Sequence, residues 1–270
     1  MKAHTLNPKT KTHSFVLDDG VTIAMASPTQ PNSFQKDIVH RVPPARTEGW
    51  RLNFTVRTIE TEGAIRDPST IENVHRVKIT ETCSVLVWET LFSREELETL
   101  KKELLDTIRG SGVADVTKMW GKTFDNKGRR VLEMAEKPGF KYHYAGKTVT
   151  GIEFSPCVQT IVVPKMAEIF GVHASKIWGH LVFYPTSECK LDWHDDGEDG
   201  INPHMIASIT FLEFPQKGAR PFQVRAKADF PSGFGGRKSK TSAAKKGTKR
   251  SGATVEDVKD AKREDKKIKL

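Results

Sequence analysis

Cysteine is scarce and unpatterned. Cys83, Cys157 and Cys189 are the only three in the chain, none sits in a CxxC pair, and an odd number leaves one outside any disulfide scheme. A disulfide framework and a zinc ribbon are both disfavoured, and a reducing compartment is expected. Long apolar runs are missing as well: none approaches the roughly 18 residues of a membrane span. The N-terminal MKAHTLNPKTKTH has no apolar stretch of the secretory kind. The expectation is a soluble, intracellular protein that is not secreted and has no membrane partner. No internal repeat is present, which excludes solenoids and propellers.

What is present is size and charge. With 270 residues, 37% of them hydrophobic, the chain can bury one substantial core. The net charge of +9 points to a polyanionic partner, but it is unevenly placed. Of the 43 basic and 34 acidic side chains, 14 and 6 fall in residues 227–270, leaving 29 against 28 in the rest. Residues 227–270 are rich in Gly, Ser, Lys and Ala without apolar periodicity and read as a basic disordered tail. Clusters such as RKSK at 237–240 and KKGTKR at 245–250 suit nonspecific phosphate binding, a nuclear-import signal, or plain solubilisation.

The remainder reads as strands with two helices. HSFVLDDGVTIAMAS holds two β-rich runs joined at Asp19-Gly20, a dipeptide favouring a tight turn between paired strands. WRLNFTVRTI alternates, with Arg51, Asn53, Thr55 and Arg57 on one face and Leu52, Phe54 and Val56 on the other. Residues 58–83 are polar, contain Gly63 and Pro68, and read as a linker. SREELETLKKELLDTIRGSG combines a capping box at Ser93 and Glu96 with Leu97, Leu100, Leu104 and Ile108 at helical spacing. A loop rich in Gly and Lys follows. KYHYAGKTV has strand character, and VQTIVVPKMAEIFGV is helical, with an early break expected at Pro164. KIWGHLVFYP, MIASITFLEF and RPFQVR read as further strands, with HDDGEDGINP a loop between them.

That loop opens on an HxD pattern, His194 and Asp196, directly after a strand. Two such ligands can face one ion, and a distant second histidine would complete a two-histidine, one-carboxylate set that leaves positions open on Fe(II). The pattern also fits an acidic surface loop in which imidazole and carboxylate merely pair. His40 ends a strand-like segment shortly before Arg51, and Arg51 and Arg57 offer guanidinium groups for a dicarboxylate. Solvent exposure on an edge strand is the other reading of these arginines.

WHDDGED, HMIASITF and PFQVR resemble the central part of AlkB-type Fe(II)/2-oxoglutarate dioxygenases. LDDGVTIAMASPTQ, HRVP and RLNFTVR resemble that family's C-terminal part with its RxNxTxR motif, and KYHYAGKTV with LVFYP matches the segment before HxD in its DNA-repair members. The order is reversed relative to the family, so the resemblance implies a circular permutant. Its fold would be α+β, a double-stranded β-helix (jelly-roll) core with flanking helices. Residues 1–57 would form the C-terminal half of the barrel, 58–83 the joining linker, 84–226 the N-terminal part with helices, lid and HxD, and 227–270 the tail. Such cuts are tolerated where termini lie close together.

The resemblance implies that His194, Asp196 and His40 are the catalytic iron ligands, with 2-oxoglutarate and molecular oxygen as cosubstrates. Arg51 would face the far carboxylate of 2-oxoglutarate, with Arg57, Asn53 and Tyr184 beside it. The family carries Asn two residues before that Tyr, where this chain has Val182. Glu198 would read the damaged base, and Tyr144 or Tyr142 would stack on it from the lid or pack within it. Trp193 would form a wall of the substrate pocket or part of the core. The implied activity is oxidative removal of N-alkyl lesions of the 1-methyladenine or 3-methylcytosine type from DNA or RNA by a monomeric enzyme, with release of formaldehyde and succinate. A 2-oxoglutarate hydroxylase acting on protein or another base modification, and a catalytically silent nucleic-acid-binding protein, are the alternatives.

Overall fold

Two largely antiparallel sheets and a pair of helices account for most of the described residues. The N-terminal block supplies β1 (Ala3–Asn7), β2 (Thr12–Val16), β3 (Thr22–Ala26), β4 (Ile38–Val42) and β5 (Arg51–Thr58). After β6 (His75–Lys78) and β7 (Ser84–Trp88) comes α1 (Arg94–Ser111), then β8 (Val113–Met119), β9 (Lys122–Ala135), β10 (Lys141–Tyr144), β11 (Lys147–Thr150) and β12 (Ile152–Glu153). Helix α2 (Val163–Phe170) precedes β13 (Ile177–Tyr184), β14 (Leu191–His194), β15 (Met205–Leu212) and β16 (Pro221–Ala226). This computed structural model describes residues 3–26, 37–44, 49–58, 70–119, 122–139, 141–144, 147–196, 205–214 and 221–229. These all fall in one unit, Met1–Phe234; the second unit, Gly235–Leu270, lies outside the described residues together with most of the expected basic tail. No helix among the described residues is long and apolar enough to cross a membrane.

The smaller sheet has the order β1-β2-β16-β4-β14 and the larger β12-β9-β13-β5-β15-β3-β7-β6, with β8 on β9 and β10-β11 a separate hairpin. All pairings are antiparallel except β12 with β9. N-terminal and C-terminal strands interleave: β15 lies between β3 and β5, and β16 between β2 and β4. One apolar cluster joins the large sheet to the helices through Leu52, Phe54, Val56, Leu100, Leu104 and Phe170. A second fills the space between the sheets with Phe15, Ile23, Val131, Val182, Ile206 and Phe222. Both faces of β5 are therefore covered, its apolar side toward the helices and its polar side toward the smaller sheet, and Arg51 and Arg57 are buried rather than solvent-facing.

Helix α1 forms as its spacing predicts. Ser93 Oγ accepts from the Glu96 N–H at 3.2 Å and Glu96 returns a carboxylate to the Ser93 N–H at 2.7 Å, satisfying two end donors. Four expectations change. The Asp19-Gly20 turn, with Gly20 at φ +78°, does not join paired strands. It carries the chain from the small sheet to the large one, docked on β15 by Leu212 N–H donating to Asp19 Oδ1 at 2.6 Å and Gly20 N–H to the Thr210 carbonyl at 2.7 Å. The stretch expected as a linker contributes β6, an edge strand on β7. The expected Gly- and Lys-rich loop is instead the β8-β9 ribbon. Pro164 does not break its helix; it sits in the first turn of α2, after a wide turn at Val158–Val162, where a missing N–H costs nothing.

Candidate metal centre

β4 and β14 are antiparallel neighbours with His40 directly opposite His194. That register brings residues from the two ends of the chain onto one face, with ring centroids 4.1 Å apart. Asp196, two residues past the end of β14, turns inward and is 4% exposed. Its Oδ2 lies 3.6 Å from His40 Nε2 and its Oδ1 3.8 Å from His194 Nε2, and one ligand atom from each residue lies within 4.8 Å of the others. Bonds of about 2.0–2.2 Å to one ion would draw these ligand atoms closer together than they stand here.

The donors are also prepared electronically. His194 Nδ1 lies 2.8 Å from the Asp192 carbonyl, which can only accept; the proton is thereby held on Nδ1 and the Nε2 lone pair faces the centre. Burial, then the neighbouring His194, push the His40 imidazole down to about 3, against the pull of Asp196, so it is a neutral ligand at ordinary pH. For Asp196 burial alone would raise the carboxyl. The Arg57 guanidinium at 3.0 Å, joined by the nearby histidines, reverses this and holds it well below the usual carboxylate range.

A cavity partly open to solvent runs from these three residues between the sheets. Asn53, Thr55 and Arg57 line it from β5, and His180, Val182 and Tyr184 from β13. Arg51 is 1% exposed and stands one layer back: its Nε donates to Asn53 Oδ1 at 2.7 Å and its Nη2 to Thr210 Oγ1 at 3.3 Å. Thr210 Oγ1 donates in turn to Asn53 Oδ1 at 3.3 Å. With its oxygen engaged this way, the Asn53 amide directs its NH₂ donors to the cavity.

The chain matches no protein-family model, no curated protein and no solved structure. The site is accordingly read from its own geometry.

His40, His194, Asp196, Asn53, Arg57 and Tyr184 converge on one cavity, with Arg51 supporting Asn53. Trp193 lies outside it, half-buried, with the Arg41 guanidinium 4.6 Å over its ring. It borders a shallower groove that shares Arg129, Leu191 and His194 with the cavity. Glu198 lies outside the described residues, and so do the side chains of Tyr142 and Tyr144, whose backbone is on β10.

Three features at or directly behind the cavity escape sequence reasoning. Thr210 is one. Asp115 and Arg129 form a buried ion pair on the cavity wall, opposite a bulge in β9 where Lys127 and Gly128 both take positive φ. Arg129 also donates to the Lys190 carbonyl at 2.9 Å, tying that bulge to the start of β14. The third is His180 with Glu133. The alternation of KIWGHLVFY puts His180 on the face of Tyr184 and was a usable signal; its partner Glu133 is found only through strand register.

Proposed function

We propose that the chain is an Fe(II)- and 2-oxoglutarate-dependent dioxygenase of the AlkB type, a circularly permuted double-stranded β-helix that removes N-alkyl groups from bases of nucleic acid. The observation that carries the reading is the register pairing of His40 with His194, which gathers two imidazoles and the Asp196 carboxylate. Such a donor set suits Fe(II), and the interleaving of β3 and β5 around β15 is what a permuted barrel would require.

Bound there, Fe(II) would let molecular oxygen couple decarboxylation of 2-oxoglutarate to oxidation of a substrate C–H bond, with succinate, carbon dioxide and formaldehyde as products. The protein's residues do the rest. Arg57 keeps Asp196 ionised, so the carboxylate meets a cation without first losing a proton. Asn53 presents amide donors and Tyr184 a phenol to a carboxylate ligand, while Arg51 and Thr210 hold Asn53 in that orientation. Ile23, Met25 and Ile206 on the same sheet and Phe222 on the facing one give the cavity apolar walls that keep water off.

The test is succinate formation from 2-oxoglutarate with Fe(II), wild type against His194→Ala, followed by formaldehyde release from oligonucleotides carrying 1-methyladenine or 3-methylcytosine. Equal inertness of both proteins in the first assay would overturn the enzyme reading. Turnover without methyl loss would favour a second reading, a hydroxylase of protein or of another base modification. One observation leans that way: the charges beside the outer groove are already paired, Lys127 with Glu188 at 2.7 Å and Lys190 with Asp192 at 2.9 Å.

A further inference from the structure

The smaller sheet, which carries all but Asp196 of the triad, has a second side. His40 lines the cavity, and the alternation of β4 puts Arg41 on the opposite side of that sheet; on β16, Phe222 and Val224 pack between the sheets while Gln223 and Arg225 share the side of Arg41. A row of contacts crosses it. Gln223 Nε2 donates to Ser14 Oγ at 2.8 Å, Arg41 Nε donates to Gln223 Oε1 at 2.6 Å, and the Arg41 guanidinium lies 4.6 Å over the ring of Trp193, the residue before His194.

Arg41 is thus held in place, but not by a carboxylate. Around the metal site Arg57 is paired with Asp196, Arg129 with Asp115, Lys190 with Asp192 and Lys227 with Asp195, whereas Arg41 has no ion pair among the described residues. It also has a like charge close by. Arg41 is opposite Gln223, and Arg225 follows two residues on, a diagonal cross-strand relation on one face. Burial lowers the Arg41 pKa, with Asp192 opposing and Arg225 adding to the effect. Two guanidiniums on one face, one of them without a carboxylate, favour an anion. A polyanion fits best: the segment 227–270, with 14 basic and 6 acidic side chains, starts directly after β16, and Lys227 Nζ lies 2.6 Å from Asp195 Oδ2, between the ligands His194 and Asp196.

We propose that Arg41, held by Gln223 and Trp193 and joined by Arg225, binds a backbone phosphate of the nucleic acid that flanks the nucleotide whose base enters the cavity. The inference rests on the reading of the cavity as a base-oxidising site and adds the backbone contact to it. Such a contact carries no sequence information but fixes where the strand lies, and it contributes about 0.7 to the slope of log affinity against log salt on a single strand.

The test uses the full chain loaded with Mn(II), without turnover, and fluorescence anisotropy of a single-stranded oligonucleotide with and without 3-methylcytosine at several salt concentrations. Arg41→Gln is expected to weaken binding of both oligonucleotides several-fold and to lower the slope by about 0.7, with melting temperature and Mn(II) affinity as in the wild type. Arg41→Lys, which keeps the charge, should keep the slope, and Arg225→Gln should lower it, which decides the matter even if Arg41→Gln fails to fold. Residues 227–270 are the same in every protein compared, so differences in slope report the sheet. An unchanged slope in both Gln variants, weakening confined to the methylated oligonucleotide, or no binding by the wild type would overturn the proposal. Absence of succinate formation by the wild type would instead overturn the dioxygenase reading and leave the phosphate contact to be decided by the slopes.

Discussion

Arg57 donates to Asp196 at 3.0 Å, and both side chains are buried, 7% and 4% exposed. The ligand carboxylate and its guanidinium are therefore one electrostatic unit, and the triad's members differ in what their loss does to the fold.

His194→Ala removes a ligand that is 30% exposed and leaves the unit intact, whereas Asp196→Ala deprives a buried guanidinium of its carboxylate. Both variants are expected to lose metal binding, measured by calorimetry with Co(II) or Mn(II). Only Asp196→Ala should lose substantial stability, about 3 kcal/mol in urea unfolding of the metal-free protein. Equal stability of the two variants would show that Arg57 does not depend on Asp196.

The pH dependence of the metal-free protein follows from His40. Its folded-state value of about 3 lies below the ordinary 6.5, so between those values the unfolded chain binds the extra proton. Stability is then fully present above pH 6.5 and falls as the pH drops toward 3. Asp196, whose carboxyl is held low by Arg57, acts in the same direction below its ordinary value of 3.8. Urea unfolding at pH 7, 5.5 and 4.5 should show a progressive loss of a few kcal/mol. In His40→Asn the loss over this window should be much smaller; an unchanged slope would assign it to other groups.

These features were unevenly legible in the sequence. The HxD pair and the alternation of β5 are local, set by spacings of two, and each fell on the expected face. His40 stood out by its place before Arg51, but its role as a ligand came from the resemblance, because its relation to His194 is a strand register that no local pattern encodes. The β8-β9 ribbon was missed because its bulge at Lys127-Gly128 has a loop's composition, yet that bulge is what sets Arg129 against Asp115. Asp19-Gly20 misled in the opposite sense. The turn is real, but a turn specifies a change of direction, and long-range bonds to β15 decide which sheet the next strand joins.

Cys157 provides a chemical probe of the helix pair. Glu103 on α1 accepts from the Cys157 N–H at 2.9 Å, at the start of the turn leading into α2. A hydrogen bond to Glu103, then burial, raise the Cys157 thiol to about 11. At pH 9 its thiolate fraction should be roughly fiftyfold below that of an ordinary cysteine, and alkylation slower in proportion. Glu103→Gln removes the charge and keeps an acceptor, so Cys157 should react several-fold faster, read by peptide mass mapping after iodoacetamide treatment. Unchanged labelling would separate Cys157 from Glu103.

Asn53 gives the sharpest test of the proposed 2-oxoglutarate site. Its Oδ1 accepts from Arg51 and Thr210 and its amide donors face the cavity. Asn53→Asp is nearly isosteric and keeps an acceptor toward Arg51, so the protein should fold with stability at or above wild type and hold Mn(II) at His40, His194 and Asp196. Its second oxygen, however, would turn a negative charge toward the incoming carboxylate. Loss of 2-oxoglutarate binding by at least about 1.4 kcal/mol, a factor of ten, is expected with metal affinity preserved. Asn53→Ala should weaken binding less, since it removes donors without adding repulsion. Binding equal to wild type in Asn53→Asp would move the cosubstrate away from β5 and leave Arg51 and Thr210 as structural supports of the strand.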